Sequence, residues 1–168
     1  MCLILFGFKG VGKSTLGREV GARLKLPFID TDELLCIKHG HESIRQLYQQ
    51  VGEQTFRILE KEVVFSLKNT PPSVIALGGG TVLDEENVAF LKALGRFVYL
   101  KASFSFLAKR LLQGELPSFA TDKHFLQLIY EKRLPLYEGI AQEELDLEKE
   151  EEPADKLASL WRKLRGLD

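Results

Sequence analysis

Cysteine is nearly missing: Cys2 and Cys36 are the only two in 168 residues. Two cannot build a disulfide framework or a zinc site, so a reducing compartment, the cytoplasm, is expected. No charge of one sign dominates. The chain carries 24 acidic and 23 basic residues, a net charge of −1. That argues against a nucleic-acid partner, which needs a broad basic field. No apolar run approaches the ~20 residues of a membrane span. The apolar start, Met1 to Phe6, is about one strand long, has no basic segment and no cleavage-like site, and so reads as a core strand rather than a signal peptide. Internal repeats and low-complexity linkers are absent too, leaving one domain over 1–168, with a monomer as the default.

What remains is ordinary for a globular chain: 45% hydrophobic and 28% charged residues. A chain this long buries roughly 70% of its unfolded surface, enough for one core. Strand-like and helix-like patterns alternate. Cys2–Phe6, Pro27–Ile29, Val74–Leu77, Phe97–Leu100 and Leu145–Leu147 read as strands. Helical spacing marks Lys13–Leu24, Glu33 to about Lys68 with interruptions at Gly40 and Gly52, Asp84–Leu94, Phe104–Gln113, His124–Tyr137 and Ala154–Arg165. Ser43 with Gln46 resembles a capping box, and Ser103 is placed as a cap. Several strands are apolar throughout, as parallel strands covered on both faces are. The expected fold is therefore a three-layer α/β sandwich. The acidic stretch Glu143–Glu152 reads as a solvated edge strand and loop.

Gly7-Phe8-Lys9-Gly10-Val11-Gly12-Lys13-Ser14 matches G-x-x-x-x-G-K-[ST], between an apolar strand and an amphipathic helix. Its glycines let backbone N–H groups close around phosphate oxygens, and the following helix presents its positive end there. Lys13 is placed to bridge the β- and γ-phosphates, and Ser14 to ligate Mg²⁺. The motif points to a nucleoside triphosphate and is silent on the fate of its terminal phosphate.

Asp30-Thr31-Asp32 closes the second strand, at the rim where open α/β sheets bind ligands. If the chain stays extended, the two carboxylates face the same way. One is then suited to orient Mg²⁺ through its waters and the other to accept a hydroxyl proton; Asp32 is also placed to cap the next helix. The third strand ends in Gly78-Gly79-Gly80 rather than a metal-binding acid, so that duty falls to the Asp-Thr-Asp pair. Consecutive glycines permit close approach of backbone to a ligand, and their N–H groups suit a carboxylate or hydroxyl. Arg57 and Arg133 are each able to grip a small-molecule carboxylate in a planar pair, or to be surface arginines.

In this order, Gly7 to Thr15, Asp30-Thr31-Asp32, Phe56-Arg57 with Glu60, Leu77-Gly78-Gly79-Gly80 and Arg133-Leu134-Pro135-Leu136-Tyr137 resemble the shikimate kinases, small phosphate-loop kinases related to the nucleoside monophosphate kinases. The resemblance covers nearly the whole chain. It implies a five-stranded parallel sheet of order 2-3-1-4-5, a substrate-binding helical region at about 33–61, and a mobile lid at about 114–123. It implies ATP-dependent phosphorylation of the shikimate 3-hydroxyl on the way to chorismate and the aromatic amino acids. Catalysis is expected from Asp32 and Lys13, and ATP binding from Gly10, Val11, Gly12, Lys13, Ser14, Thr15 and, at the adenine, Arg110 with Pro153 opposite. Shikimate binding is expected from Asp32, Arg57, Gly78, Gly79, Gly80 and Arg133, and magnesium binding from Ser14 and, through water, Asp30. One departure stands out: the family's lid usually reads Arg-Pro-Leu-Leu, whereas Leu116-Pro117-Ser118-Phe119 stands here. Either another cation, such as Lys123 or Lys109, substitutes, or turnover is slow. A kinase for another polyol, such as gluconate, and a nucleotide-binding protein without catalysis are the competing readings.

Overall fold

Strand β1, Cys2–Phe6, is buried along its whole length, as an all-apolar parallel strand flanked on both sides must be. It is the central strand of the computed structural model, which describes residues 1–111 and 122–167. The other strands are β2 (Phe28–Asp30), β3 (Val74–Ala76), β4 (Gly95–Lys101) and β5 (Glu143–Asp146). All pairings are parallel and the order is β2-β3-β1-β4-β5, as the resemblance implied, with helices on both sides. The register aligns Leu5, Ala76 and Asp30 in one row. Gly7, Gly78 and Asp30 therefore leave the sheet at one rim. Because the chain runs from β1 to both flanks of the sheet, a crevice opens beyond the carboxyl end of β1, where such folds bind ligands.

The helices are α1 (Lys13–Leu24), α2 (Thr31–His39), α3 (Ile44–Ser66), α4 (Glu85–Leu94), α5 (Phe104–Leu111), α6 (Lys123–Ile140) and α7 (Pro153–Arg165). Their ends follow local chemistry. Gly40 closes α2 in the left-handed region, and Gly52, at φ 75° and ψ 169°, breaks α3, so both interruptions read from the sequence are real. Ser43 Oγ accepts from Gln46 N, whereas Gln46 Oε1 accepts from Glu42 N, so the return bond of the capping box lands one residue early. Pro135 lies inside α6, which runs on to Ile140.

The main core gathers the strands, α1 and α7, with Phe6 packed among Phe97, Tyr99 and Tyr137. A second, smaller apolar cluster of Leu35, Leu47, Phe56 and Val63 ties α2 to α3. The helices proposed to hold substrate thus carry their own core beside the sheet. No helix among the described residues is long and apolar enough to cross a membrane. The expected lid lies outside the described residues from 114 to 121, including Leu116 to Phe119. Lys109 and Lys123 line a cavity with residues of α5 and α6, and neither is among the residues lining the phosphate-loop cleft.

Candidate active site

Two cavities meet at the rim. The larger, an open cleft of about 700 Å³, is lined by the phosphate loop from Lys9 to Leu16 together with Asp30, Asp32, Phe106, Arg110, Leu147 and Pro153. Gly10 and Gly12 hold φ of 83° and 101°, a region that costs glycine little and other residues much. These turns wrap the loop around the start of α1. Lys13 Nζ donates to the carbonyls of Gly7 (2.9 Å) and Phe8 (3.1 Å). Burial lowers its pKa to about 8 against the opposing pull of Asp32 and Asp30, because a buried ammonium loses hydration. At the outer end, the Arg110 guanidinium lies 4.4 Å from the Phe106 ring centre and reaches Val11 O at 3.4 Å. Pro153 lines the same cleft.

Asp30 and Asp32 reach this rim by a different route from the one expected. The extended chain stops at Asp30, because its Oδ1 accepts from Asp32 N (2.9 Å) and Glu33 N (3.2 Å) and starts α2 at Thr31. Asp30, not Asp32, is the cap. Its Oδ2 accepts from Ser14 Oγ at 2.5 Å, which locks β2 to the phosphate loop. Asp32 then projects from the first helical turn. Burial pushes its pKa up to about 6, with Asp30 and Glu60 adding to the rise and Lys13 and Lys9 opposing it. A carboxyl poised near neutrality suits proton transfer.

The second cavity is small and lined by Lys9, Asp32, Tyr48, Phe56, Arg57, Glu60, Gly79, Gly80 and Arg133, among others. Arg57 Nη1 pairs with Glu60 Oε2 at 2.9 Å, and Glu60, 4% exposed, accepts from Thr81 Oγ1 through its other oxygen at 2.9 Å. That chain of contacts fixes the guanidinium against the turn after the glycines. Arg133 Nη1 (3.2 Å) and Tyr137 Oη (2.8 Å) both donate to Gly79 O. Neither arginine is a loose surface cation: Arg133 is 9% exposed, and Arg57 is held in its ion pair.

The three glycines do separate jobs. A Cβ on Gly78 would stand 2.4 Å from Asp32 Oδ1, and one on Gly80 2.4 Å from Arg57 Nη1. The N–H of Gly78 is taken by Thr31 Oγ1 at 2.9 Å, so Gly78 makes room for Asp32 and anchors its helix rather than offering a free donor. Of the three, Gly79 and Gly80 line the smaller cavity.

All the expected site residues converge on these two cavities or their walls. Sequence reasoning missed Lys9, Tyr48 and the tie of Thr31 to Gly78. Tyr137 was within reach, since it stands four residues after Arg133 on one helix face.

The family model described as shikimate kinase matches residues 9–163. The shikimate kinase of Syntrophus aciditrophicus is 35% identical over 159 residues, covering 86% of this chain and 81% of that one. That of Clostridium botulinum is 39% identical over 140 residues, covering 81% and 82%. Among solved structures, the Aquifex aeolicus shikimate kinase superposes with a TM-score of 0.83 at 32% identity, covering 99% of both chains. The Acinetobacter baumannii shikimate kinase, solved in complex with shikimate, gives 0.82 at 27% identity, covering 98% and 93%. With a family model spanning nearly the whole chain and relatives above one-third identity, this chain belongs to the shikimate kinase family.

Proposed function

We propose that this chain transfers the terminal phosphoryl group of ATP to the 3-hydroxyl of shikimate, with the residue roles that follow. The observation that carries the reading is the junction of the two cavities. Asp32 lines both the phosphate-loop cleft and the pocket holding Arg57 and Arg133. A carboxylate sits at the point of transfer, with two arginines behind it to hold an anionic alcohol.

ATP lies along the loop from Gly10 to Thr15, with its base between Arg110 and Pro153. Lys13 and the loop N–H groups stabilise the charge that develops on the transferred group. The guanidiniums of Arg57 and Arg133 clamp the shikimate carboxylate beside Gly79 and Gly80, while Gly78 leaves space for Asp32. Asp32 orients the 3-hydroxyl and takes its proton as the new P–O bond forms and the bond to ADP breaks. Holding both partners in one cleft makes the displacement effectively intramolecular.

The donor set fits magnesium. Ser14 Oγ and Asp30 Oδ2 are hard oxygens side by side at the phosphate loop, and Mg²⁺ in such sites is held by few protein oxygens plus phosphates and water. The described residues hold no cluster of three or more His, Cys, Asp or Glu able to form an all-protein cage, which that mode does not require. Ser14 and Asp30 would hold magnesium there with the nucleotide, where it would supply positive charge to offset that of the phosphates. Free thiols at Cys2 and Cys36 support the cytoplasm as the place of work, and a monomer is the proposed assembly.

A coupled ADP assay with ATP and Mg²⁺ tests the reading. Turnover with shikimate and none with gluconate is expected; the reverse preference would overturn it. The arginine clamp predicts that Arg133→Met raises KM for shikimate about thirtyfold, as loss of a charged hydrogen bond of about 2 kcal/mol would, with kcat much less affected. An unchanged KM would remove Arg133 from the substrate site. The pH profile of kcat/KM for ATP, which reports the free enzyme, is expected to be a bell. Its acid limb near pH 6 is the loss of the Asp32 base on protonation, and its alkaline limb near pH 8 is the loss of the Lys13 charge. A profile flat from pH 5 to 9 would contradict both assignments.

A further inference from the structure

Three residues line both cavities: Asp32, Gly79 and Lys9. Two of them are already engaged. Asp32 faces the reacting hydroxyl in the reading above, and the Gly79 carbonyl accepts from Arg133 and Tyr137. Lys9 is different. It occupies a position that the phosphate-loop motif leaves open, its side chain is exposed, and its ammonium makes no hydrogen bond or ion pair among the described residues. Its backbone is well placed all the same: the N atom lies 3.5 Å from where a Cβ on Gly79 would stand, so the loops after β1 and β3 abut there. A stem fixed at the junction of the cavities thus carries an uncommitted cation.

The chemistry at that junction calls for one. In phosphoryl transfer, negative charge is spread over three equatorial oxygens as the group moves from leaving to attacking oxygen. Lys13 serves the loop side, where it already lies against Gly7 and Phe8. On the acceptor side the neighbours are the carboxyls of Asp32 and Glu60, and the arginines are committed to Glu60 and to Gly79. A phosphoryl group arriving beside Asp32 meets like charge unless a cation accompanies it.

We propose that Lys9 is a second catalytic cation, whose ammonium holds the transferred phosphoryl group from the acceptor side and remains on it in the phosphorylated product. The bond to the acceptor oxygen forms as the bond to the leaving β-phosphate oxygen breaks, the proton passes to Asp32, and Lys9 keeps its own proton throughout. The inference rests on the proposed acceptor, and Lys9 is distinct from the arginines in acting on the phosphoryl group rather than on the carboxylate.

The test compares wild type, Lys9→Met and Lys9→Arg. Lys9→Met is expected to lower kcat about tenfold, with KM for shikimate and for ATP within about twofold of wild type. Calorimetry supplies a readout apart from turnover: Lys9→Met weakens binding of shikimate 3-phosphate about tenfold and leaves binding of shikimate itself unchanged, and Lys9→Arg restores most of both losses. Normal kcat and product affinity in Lys9→Met would overturn the proposal. So would a defect confined to KM for shikimate, or an arginine variant no better than methionine. Wild-type turnover tests the acceptor separately. Should the wild type prefer gluconate, the same comparison is made with gluconate and its phosphate ester, so the two readings fail independently.

Discussion

Replacing Asp32 by Asn is expected to lower kcat about 10³-fold, within the range for loss of a general base, and at the same time to raise the melting temperature. The two effects share one cause. Asp32 is buried beside Asp30 and Glu60, and its pKa is pushed from 3.8 up to about 6. A group that holds its proton more tightly in the folded chain than in the unfolded one costs stability once it ionises. The folded state binds the extra proton between pH 4 and 6, so stability falls as pH rises through that window, and the full cost is present above pH 6. Asn is neutral and nearly isosteric, so it removes that cost while removing the base. The thermal gain should therefore be present at pH 7 to 8 and vanish near pH 4. Steady-state turnover with shikimate and melting curves at the two pH values measure both halves. Turnover close to wild type would remove Asp32 from the chemistry. Loss of turnover with a lower melting temperature at pH 7 would mean that the residue is structural.

Much of this site was legible from the sequence because its parts are local. The phosphate loop reads from eight consecutive residues, Gly7 to Ser14, and the all-apolar β1 before it fixed the strand type. Gly40 and Gly52 marked real breaks because helix C-caps and kinks need backbone freedom that glycine supplies. What the spacing alone left open was which neighbour does what. On an extended chain Asp30 and Asp32 face the same way, one suited to Mg²⁺ and the other to a hydroxyl proton, and only the resemblance assigned magnesium to Asp30 and catalysis to Asp32. The structure makes one a helix cap bonded to Ser14 and sends the other into the junction, a distinction that depends on α2 beginning at Thr31. Arg57 and Arg133, 76 positions apart, gave no local sign of sharing a pocket. Their meeting follows from long-range contacts to the turn after β3, Arg57 through Glu60 and Thr81, Arg133 through Gly79 O. Lys9 was invisible as anything but a motif filler until both cavities could be seen to end on it.

The triple glycine yields the second large effect. Gly78→Ala is expected to lower kcat about 10²-fold with little change in the affinity for ATP. The strain here is spatial, since Gly78 does not adopt positive φ. An added methyl would stand 2.4 Å from Asp32 Oδ1, 3.1 Å from Thr81 Oγ1 and 3.2 Å from Asp32 Cγ. Asp32 has a short side chain with only two torsions, and its helix is held in place. Asp30 caps that helix, and Thr31 Oγ1 is bonded to Gly78 N itself. The carboxylate must therefore swing to another rotamer, away from the hydroxyl, and a displacement of about 1 Å at a reacting group can cost 10²-fold in rate. Gly80→Ala supplies the contrast. Its methyl would meet Nη1 and Nη2 of Arg57 at 2.4 and 2.7 Å, the far end of a long side chain that can yield. Its effect should fall on KM for shikimate and leave kcat nearly intact. Equal damage to kcat in both variants would mean that the glycines serve the turn as a whole and not the two side chains assigned to them.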